Sequence, residues 1–289
     1  MPSYSLDGVP LDHPAGCWRL KKGTERRPLP GARAVKVSVS GRHGDIPVVG
    51  LDLEATTFGL AFKVTGATPS GVDGGYEQME RNLEALSALL GVRHRLMTLR
   101  YQAGTIVRVT DVTITSTTKP EVNTGAATAR ITAIVEVPGV LWRDEAESIW
   151  SGAPNQLAQV VTTLAGSTGP IVDAVLRFTG PAVQPSIGDV ATGGWVLRAG
   201  GLLSGQRLLI DCGRMQAAIV TSDTWDMSAG SDVTGEIDAI GPGSQYRWLH
   251  LTPDVAVGDP FSRAVLVSTA ASGTNASSKV ELRATRAYL

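Results

Sequence analysis

Ile106-Val107-Arg108-Val109-Thr110-Asp111-Val112-Thr113-Ile114-Thr115 decides the fold class. Eight of these ten residues are Val, Ile or Thr, whose branched Cβ atoms suit a pleated surface and crowd a helical turn. Side chains alternate across a strand, so Ile106, Arg108, Thr110, Val112 and Ile114 share one face. The run ends before Pro120, which has no N–H to give a ladder. Working outward, Ile131 to Val137 repeats the period of two and is closed by Pro138-Gly139. Upstream, Ala34 to Val39, Val48 to Leu53 and Phe58 to Val64 read the same way, with Thr56 and Thr57 parting the last two. One segment departs from the pattern. From Tyr76 to Leu90 the apolar residues fall at Tyr76, Met79, Leu83, Leu86, Leu89 and Leu90, with Glu77, Glu80, Arg81 and Glu84 on the other side. That spacing predicts an amphipathic helix over 76–90, opened by Asp73-Gly74-Gly75 and stopped by Gly91.

Beyond Val137 the pattern changes. Residues 141–169 hold Arg143-Asp144-Glu145, Pro154 and a weaker apolar stretch from Leu157 to Leu164, and read as a linker with a short lead-in strand or turn. From Pro170 strands resume at Ile171–Phe178, Trp195–Arg198, Gln206–Cys212, Gln216–Thr221, Arg247–Leu251, Arg263–Ser268 and Val280–Tyr288. Gly180-Pro181, Gly193-Gly194, Gly200-Gly201 and Gly241-Pro242 punctuate them. Short strands so punctuated predict an antiparallel sandwich. The expected organisation is a β-domain with one helix over 1–140, the linker over 141–169, and a sandwich over 170–289.

Composition agrees. In 289 residues, 43% hydrophobic content can build a core, while 33 glycines and 16 prolines suit many short strands joined by tight turns. The net charge of −1 argues against a dedicated nucleic-acid binder, which carries a basic stripe. The charge is uneven: residues 1–137 hold 16 Lys and Arg against 13 Asp and Glu, and residues 138–289 hold 10 against 14. Arg19, Lys21, Lys22, Arg26, Arg27, Arg33, Lys36 and Arg42 face only Asp7, Asp12 and Glu25 in the opening segment. This run is either a solvated arm or a contact for an acidic neighbour. Cys17 and Cys212 lie in opposite halves, a pattern expected of a reducing compartment rather than a disulfide framework. Met1 to Pro10 lacks the layout of a signal peptide. No stretch approaches about 18 uninterrupted apolar residues, so a soluble protein is expected.

The sequence carries no active-site constellation. His13, His43, His94 and His250 stand singly, without metal-ligand spacing. No nucleophile elbow or phosphate loop is present, and Gly241-Pro242-Gly243-Ser244 reads as a turn because its proline removes a backbone donor. Asp223, Asp226, Asp232, Glu236 and Asp238 do not match a calcium loop. A glycosidase needs two carboxylates roughly 5–9.5 Å apart in a cleft, which spacing in sequence does not establish. Trp225, Tyr246 and Trp248 could stack against a sugar, although Trp248 alternates with Leu249 and Leu251 ahead of Pro253 as a core-facing residue does. No catalytic residue, metal ligand or cofactor is expected.

The order of these elements resembles the distal tail protein family of long flexible-tailed bacteriophages, in the minor tail protein form of actinobacteriophages. The residues that carry the resemblance run along nearly the whole chain. They are the helix with Arg81-Asn82-Leu83 and Leu86-Ser87-Ala88-Leu89-Leu90, the pair Leu99-Arg100-Tyr101 and Ile106–Thr115, and the junction Val135-Glu136-Val137-Pro138-Gly139-Val140-Leu141-Trp142-Arg143-Asp144. Ser167-Thr168-Gly169-Pro170-Ile171, Gly180-Pro181, Thr192-Gly193-Gly194-Trp195, Gly205-Gln206-Arg207-Leu208-Leu209-Ile210-Asp211 and Trp248-Leu249-His250-Leu251-Thr252-Pro253 follow. The resemblance implies an N-terminal domain forming a hexameric ring and a galectin-like C-terminal sandwich. It implies a place in the virion at the tail tip, after assembly in the host cytoplasm. The partners it implies are the tail tube protein, the tape measure protein and tail-tip or tail-associated proteins, and it brings no catalytic residue. Because a bare edge strand invites uncontrolled pairing, Ile106, Arg108, Thr110, Val112 and Ile114, with Ile131 and Ile134, are the expected inter-subunit strands. The other reading is a carbohydrate-binding module targeting a cell surface, with Trp225, Tyr246 and Trp248 as its glycan platform. Exposure of those three residues on one face would favour it.

Overall fold

A computed structural model describes residues 3–25, 27–31, 33, 37–38, 45–46, 53–255 and 263–289. Strand accounts for 47% and helix for 10%, so the chain is mainly β. It divides into two compact units, one of residues 1–142 with Leu289 and one of residues 143–288.

Among the described residues, the first unit is one large antiparallel sheet with a helix and a short two-stranded pair. Its main elements are β1 (Ser3–Leu6), β2 (Trp18–Leu20), β3 (Thr56–Thr65), α1 (Gly75–Leu90), β4 (Met97–Ala103), β5 (Ile106–Thr117), β6 (Glu121–Asn123) and β7 (Thr128–Val137). The spatial order is β1-β4-β5-β7-β3-β2, with Val9–Pro10 outside β1 and β6 alongside β7. The decisive run forms β5, which changes partner midway. Ile106 to Val112 pair with β4, whereas Thr113 to Thr117 pair with β7, with a register shift at Ile134/Val135. The extra residue bends the ladder there and the sheet curls. Of the upstream alternations, Phe58–Val64 lies inside β3. Val37–Ser38 pairs with Asp45–Ile46; the rest of Ala34–Val39, and Val48–Leu53 up to Asp52, lie outside the described residues.

Helix α1 begins at Gly75, whose N–H donates to Asp73 Oδ1 (3.0 Å). Gly91 ends it in the right-handed region, its N–H donating to Ala88 O, rather than through a left-handed cap. Met79, Leu83, Leu86 and Leu90 are buried against β3 and β7, while Tyr76 is exposed. Asn82 joins the buried stripe, which apolar spacing alone does not show. Its Nδ2 donates to Thr65 O (2.8 Å) and Ala67 O (2.7 Å), and its Oδ1 accepts from Gln78 Nε2 (2.9 Å). The amide therefore fixes the helix to the chain leaving β3. The turn between them is tight, and a Cβ on Gly66 would meet Gly75 O at 2.3 Å. Asn82→Ala is expected to cost about 1–3 kcal/mol, because two half-buried carbonyls lose their donor. A urea titration of the intact protein checks this, and an unchanged midpoint would contradict it.

Among the described residues, the second unit has two main antiparallel sheets and a short pair, Asp254–Val255 with Arg263–Ala264. Its main strands are β8 (Ser148–Gly152), β9 (Gln156–Val160), β10 (Val175–Thr179), β11 (Ala182–Asp189), β12 (Trp195–Arg198), β13 (Arg207–Asp211), β14 (Gln216–Val220), β15 (Ser231–Asp232), β16 (Ile237–Ile240), β17 (Leu266–Ser272) and β18 (Lys279–Ala284). One sheet runs β8-β18-β10-β13-β14-β15 and the other β9-β17-β11-β12-β16, with Gly201–Leu202 beside β11. Leu176, Phe178, Leu208, Ile210, Ile187, Val196 and Val267 are among its buried residues.

Three sequence expectations change. The stretch read as linker supplies β8 and β9, which pair with β18 and β17, so residues 148–160 are sheet rather than connection. Strand β11 escapes a reading by alternation because Pro185 and Gly188 look like breakers. Pro185 falls in a register shift between Val183 and Ser186, where no ladder donor is needed. Arg247–Leu251, expected as a strand, is irregular chain following a turn: Trp248 N–H donates to Cys212 O, and only Leu251 forms a bridge, with Ile171.

Candidate functional site

The expected inter-subunit residues are not on bare edges. Within β5 and β7, Thr110, Val112, Ile114 and Ile131 are buried, Arg108 and Ile134 are half-buried, and only Ile106 is exposed. Strand β7 is paired over its whole length with β3 and on its other side with β6 and β5. Strand β5 is committed to β4 and then to β7. Pairing of these two strands with the next subunit therefore stays an expectation, limited to what their partners within the chain leave uncovered. Long β-branched alternation marks a strand buried on one face, and such strands sit in the middle of sheets. The ends of this sheet path are Val9–Pro10 and β2.

The three-aromatic platform is not formed either. Trp248 is buried at 7% exposure, Tyr246 stands out at 80%, and Trp225 is half-buried. Trp225 instead covers arginines. Arg177 Cζ lies 4.3 Å from the centre of its ring and Arg283 Cζ 5.1 Å, separations at which a cation is drawn to the π face.

Register explains that cluster. Arg177 stands opposite Glu281 on one side and Leu209 on the other, and Arg283 stands opposite Val175. Arg177 therefore shares its face with Glu281, while Leu176 and Phe178 on either side of it enter the core. Its Nε donates to Glu281 Oε2 (2.7 Å) and its Nη1 to Asp223 Oδ1 (2.7 Å). Lys279 Nζ reaches Glu281 Oε1 at 3.0 Å. A charge at position 177 within the apolar run from Ala174 to Phe178 is the available sequence signal, and only the folded loop supplies its partners. The loop also walls a cavity of about 750 Å³ lined by Trp225, Arg283, Asp211, Gln216, Met227 and Asp232 among others.

Burial works against the Glu281 charge, but hydrogen bonds from Arg177 and Lys279 outweigh it and hold the carboxyl below the usual carboxylate range. A depressed acid stabilises the fold fully above its ordinary value and loses that contribution as pH falls through the lowered one. Burial pushes Asp189 the opposite way. The second unit should therefore lose stability on acidification below about pH 5, and Glu281→Gln should flatten the profile. Equal slopes in urea midpoint against pH for the two proteins would contradict this.

Three acids of the 223–238 stretch are held by neighbours within the fold. Asp226 Oδ1 accepts from Ser228 N (2.9 Å), Asp232 Oδ1 accepts from Thr234 N (2.8 Å), and Glu236 pairs with Arg198 (2.7 Å). Gly241-Pro242-Gly243-Ser244 is a turn, closed by Ser244 N–H donating to Gly241 O. His13 packs edge-on against Trp18, His94 is exposed, His250 is half-buried, and His43 lies outside the described residues. Cys17 and Cys212 are free and buried, and burial pushes both thiols up. Among the described residues, no group of three or more His, Cys, Asp or Glu comes together that could hold a metal ion. No helix among them is long and apolar enough to cross a membrane.

No family model matches the chain, and no curated protein matches it. Among solved structures, it is similar to a chain of the phage P2 baseplate in its activated conformation with Ca, at 9% identity, covering 99% of this chain and 98% of that one with a TM-score of 0.42. It is also similar to a chain of the phage p2 baseplate in its activated conformation with Sr, at 10% identity, with the same coverages and a TM-score of 0.39. Likeness at this level carries no argument about what the present chain does.

Proposed function

We propose that this chain is a non-enzymatic structural subunit of a phage tail tip. In this reading it is a distal tail protein whose first unit forms a hexameric ring joining the tail tube to the tip proteins that engage the host. The observation that carries the reading is the order of elements. A sheet crossed by one amphipathic helix is followed by an antiparallel two-sheet unit, the order that the sequence resemblance implies. The charged groups of the second unit support a scaffold role, since Arg177, Arg198, Glu236 and Glu281 are engaged with one another or with neighbours. With most of β5 and all of β7 occupied, the ring contact falls to the outer strands of the first sheet and to the exposed stretch Thr118–Ala126. Tail tube, tape measure and tail-associated proteins are the proposed partners, and the virion the proposed location.

Antibodies against this chain, applied to purified particles, test the reading. Label confined to the end of the tail far from the head is expected. Label along the whole tail, on the head, or absent from particles would contradict it.

A further inference from the structure

Arg19 on β2, Lys63 on β3 and Arg130 on β7 stand in one row. Arg19 is directly opposite Lys63, and Lys63 directly opposite Arg130. Trp18, Phe62, Val64, Ala129 and Ile131 beside them are buried, so the three cations leave the sheet from its other face. Lys21 and Lys22 follow β2 and line a groove of about 290 Å³ with Arg130, Thr132 and Glu121.

Like charges directly opposite one another destabilise a sheet, and this face does not need them. The adjacent rows carry Thr65 opposite Thr128 and Ala61 opposite Thr132. None of the five cations makes an ion pair among the described residues. Among the described residues, the acids placed near them are Glu121, opposite Arg130; Asp12, whose Oδ1 accepts from Leu20 N; and Glu25, whose carboxylate accepts from Gly59 N. Three acids at the rim leave a positive excess at the centre. Such a cost is kept where a partner offsets it.

We propose that this face of the first unit binds an acidic polypeptide segment, with carboxylates seated against Arg19, Lys63 and Arg130. The planar forks of the two arginines match carboxylates in bidentate fashion. Three strands span only about 10 Å, a footprint for a few carboxylates, whereas duplex binders neutralise about 6–10 phosphates. Single-stranded nucleic acid needs aromatic faces for its bases, and Trp18 and Phe62 are turned into the core. The ring contact would use the free edge of β2, whereas carboxylates here would meet the face of the sheet at Arg19, Lys63 and Arg130, so either can fail without the other.

The test uses the intact protein and fluorescence anisotropy at low salt, with labelled decaglutamate and a labelled oligothymidylate of matched charge. Decaglutamate should bind more tightly than the oligothymidylate, weaken as salt rises, and lose about tenfold or more in affinity with Lys63→Glu. Lys63→Gln should raise Tm, because it removes the central repulsion, and a cooperative melt of Lys63→Glu itself separates lost binding from lost folding. Absence of saturable decaglutamate binding, an affinity unchanged by Lys63→Glu, or a lower Tm for Lys63→Gln would overturn the proposal. Tighter oligothymidylate binding would assign the face to nucleic acid instead, and salt-sensitive self-association abolished by Lys63→Glu would assign it to a second copy.

Discussion

Arg177→Ala is expected to cost about 3–5 kcal/mol of stability, because it breaks a buried ion pair from one side only. The Arg177 side chain is 6% exposed and that of Glu281 is 8% exposed. Removing the guanidinium leaves Glu281 with Lys279 alone, strips a donor from Asp223, and takes away the cation beneath Trp225. The double change Arg177→Leu with Glu281→Leu should recover most of the loss, since an apolar pair of similar volume replaces a buried ion pair at little cost. Urea unfolding of the four proteins in the cycle measures the coupling. Strict additivity of the two single changes would show that the pair is not what holds the loop at Trp225 to the sheet.

Phe62→Ala is expected to cost the first unit about 3–5 kcal/mol as well, by the lost transfer energy and the cavity left behind. Phe62 is 1% exposed on β3, and it lies opposite Ile131 on β7 and Leu20 on β2. The buried face of β3 reads Phe58, Leu60, Phe62 and Val64, with α1 packed on the same strand. A void there removes contacts from three strands together, and the surrounding ladder hydrogen bonds limit how far they can collapse. Phe62→Leu, which keeps most of the volume, should cost much less. Equal losses for Ala and Leu would mean that ring shape rather than volume governs the position.

Much of this architecture is legible in the sequence because period and residue type point the same way. Six apolar positions at helical spacing set the helix over 76–90, and the structure moves its start by one residue, to Gly75. The alternation of β5, β7 and β3 likewise appears in their burial, except that Ile106 and Arg108 at the start of β5 are not buried. Pairing partners are another matter. An alternating strand shows which face is buried but not whether its edges are occupied, so alternation does not distinguish interface strands from interior ones such as β5 and β7. Asn82 hides in a helix stripe because an amide reads as surface until its two carbonyl acceptors are placed. The basic row at Arg19, Lys63 and Arg130 draws on three distant segments, and only register brings them together. Pro185 hides β11 because a register shift has no sequence mark of its own.

The proposed ring makes the central claim directly measurable. A reconstruction of the assembled particle should show six copies of this chain around the tail axis, touching through the first unit at the outer strands of its sheet. Closed rings follow when a heterologous contact repeats with a rotation that closes. Three-fold symmetry, or copies that touch only through residues after Pro170, would contradict the account.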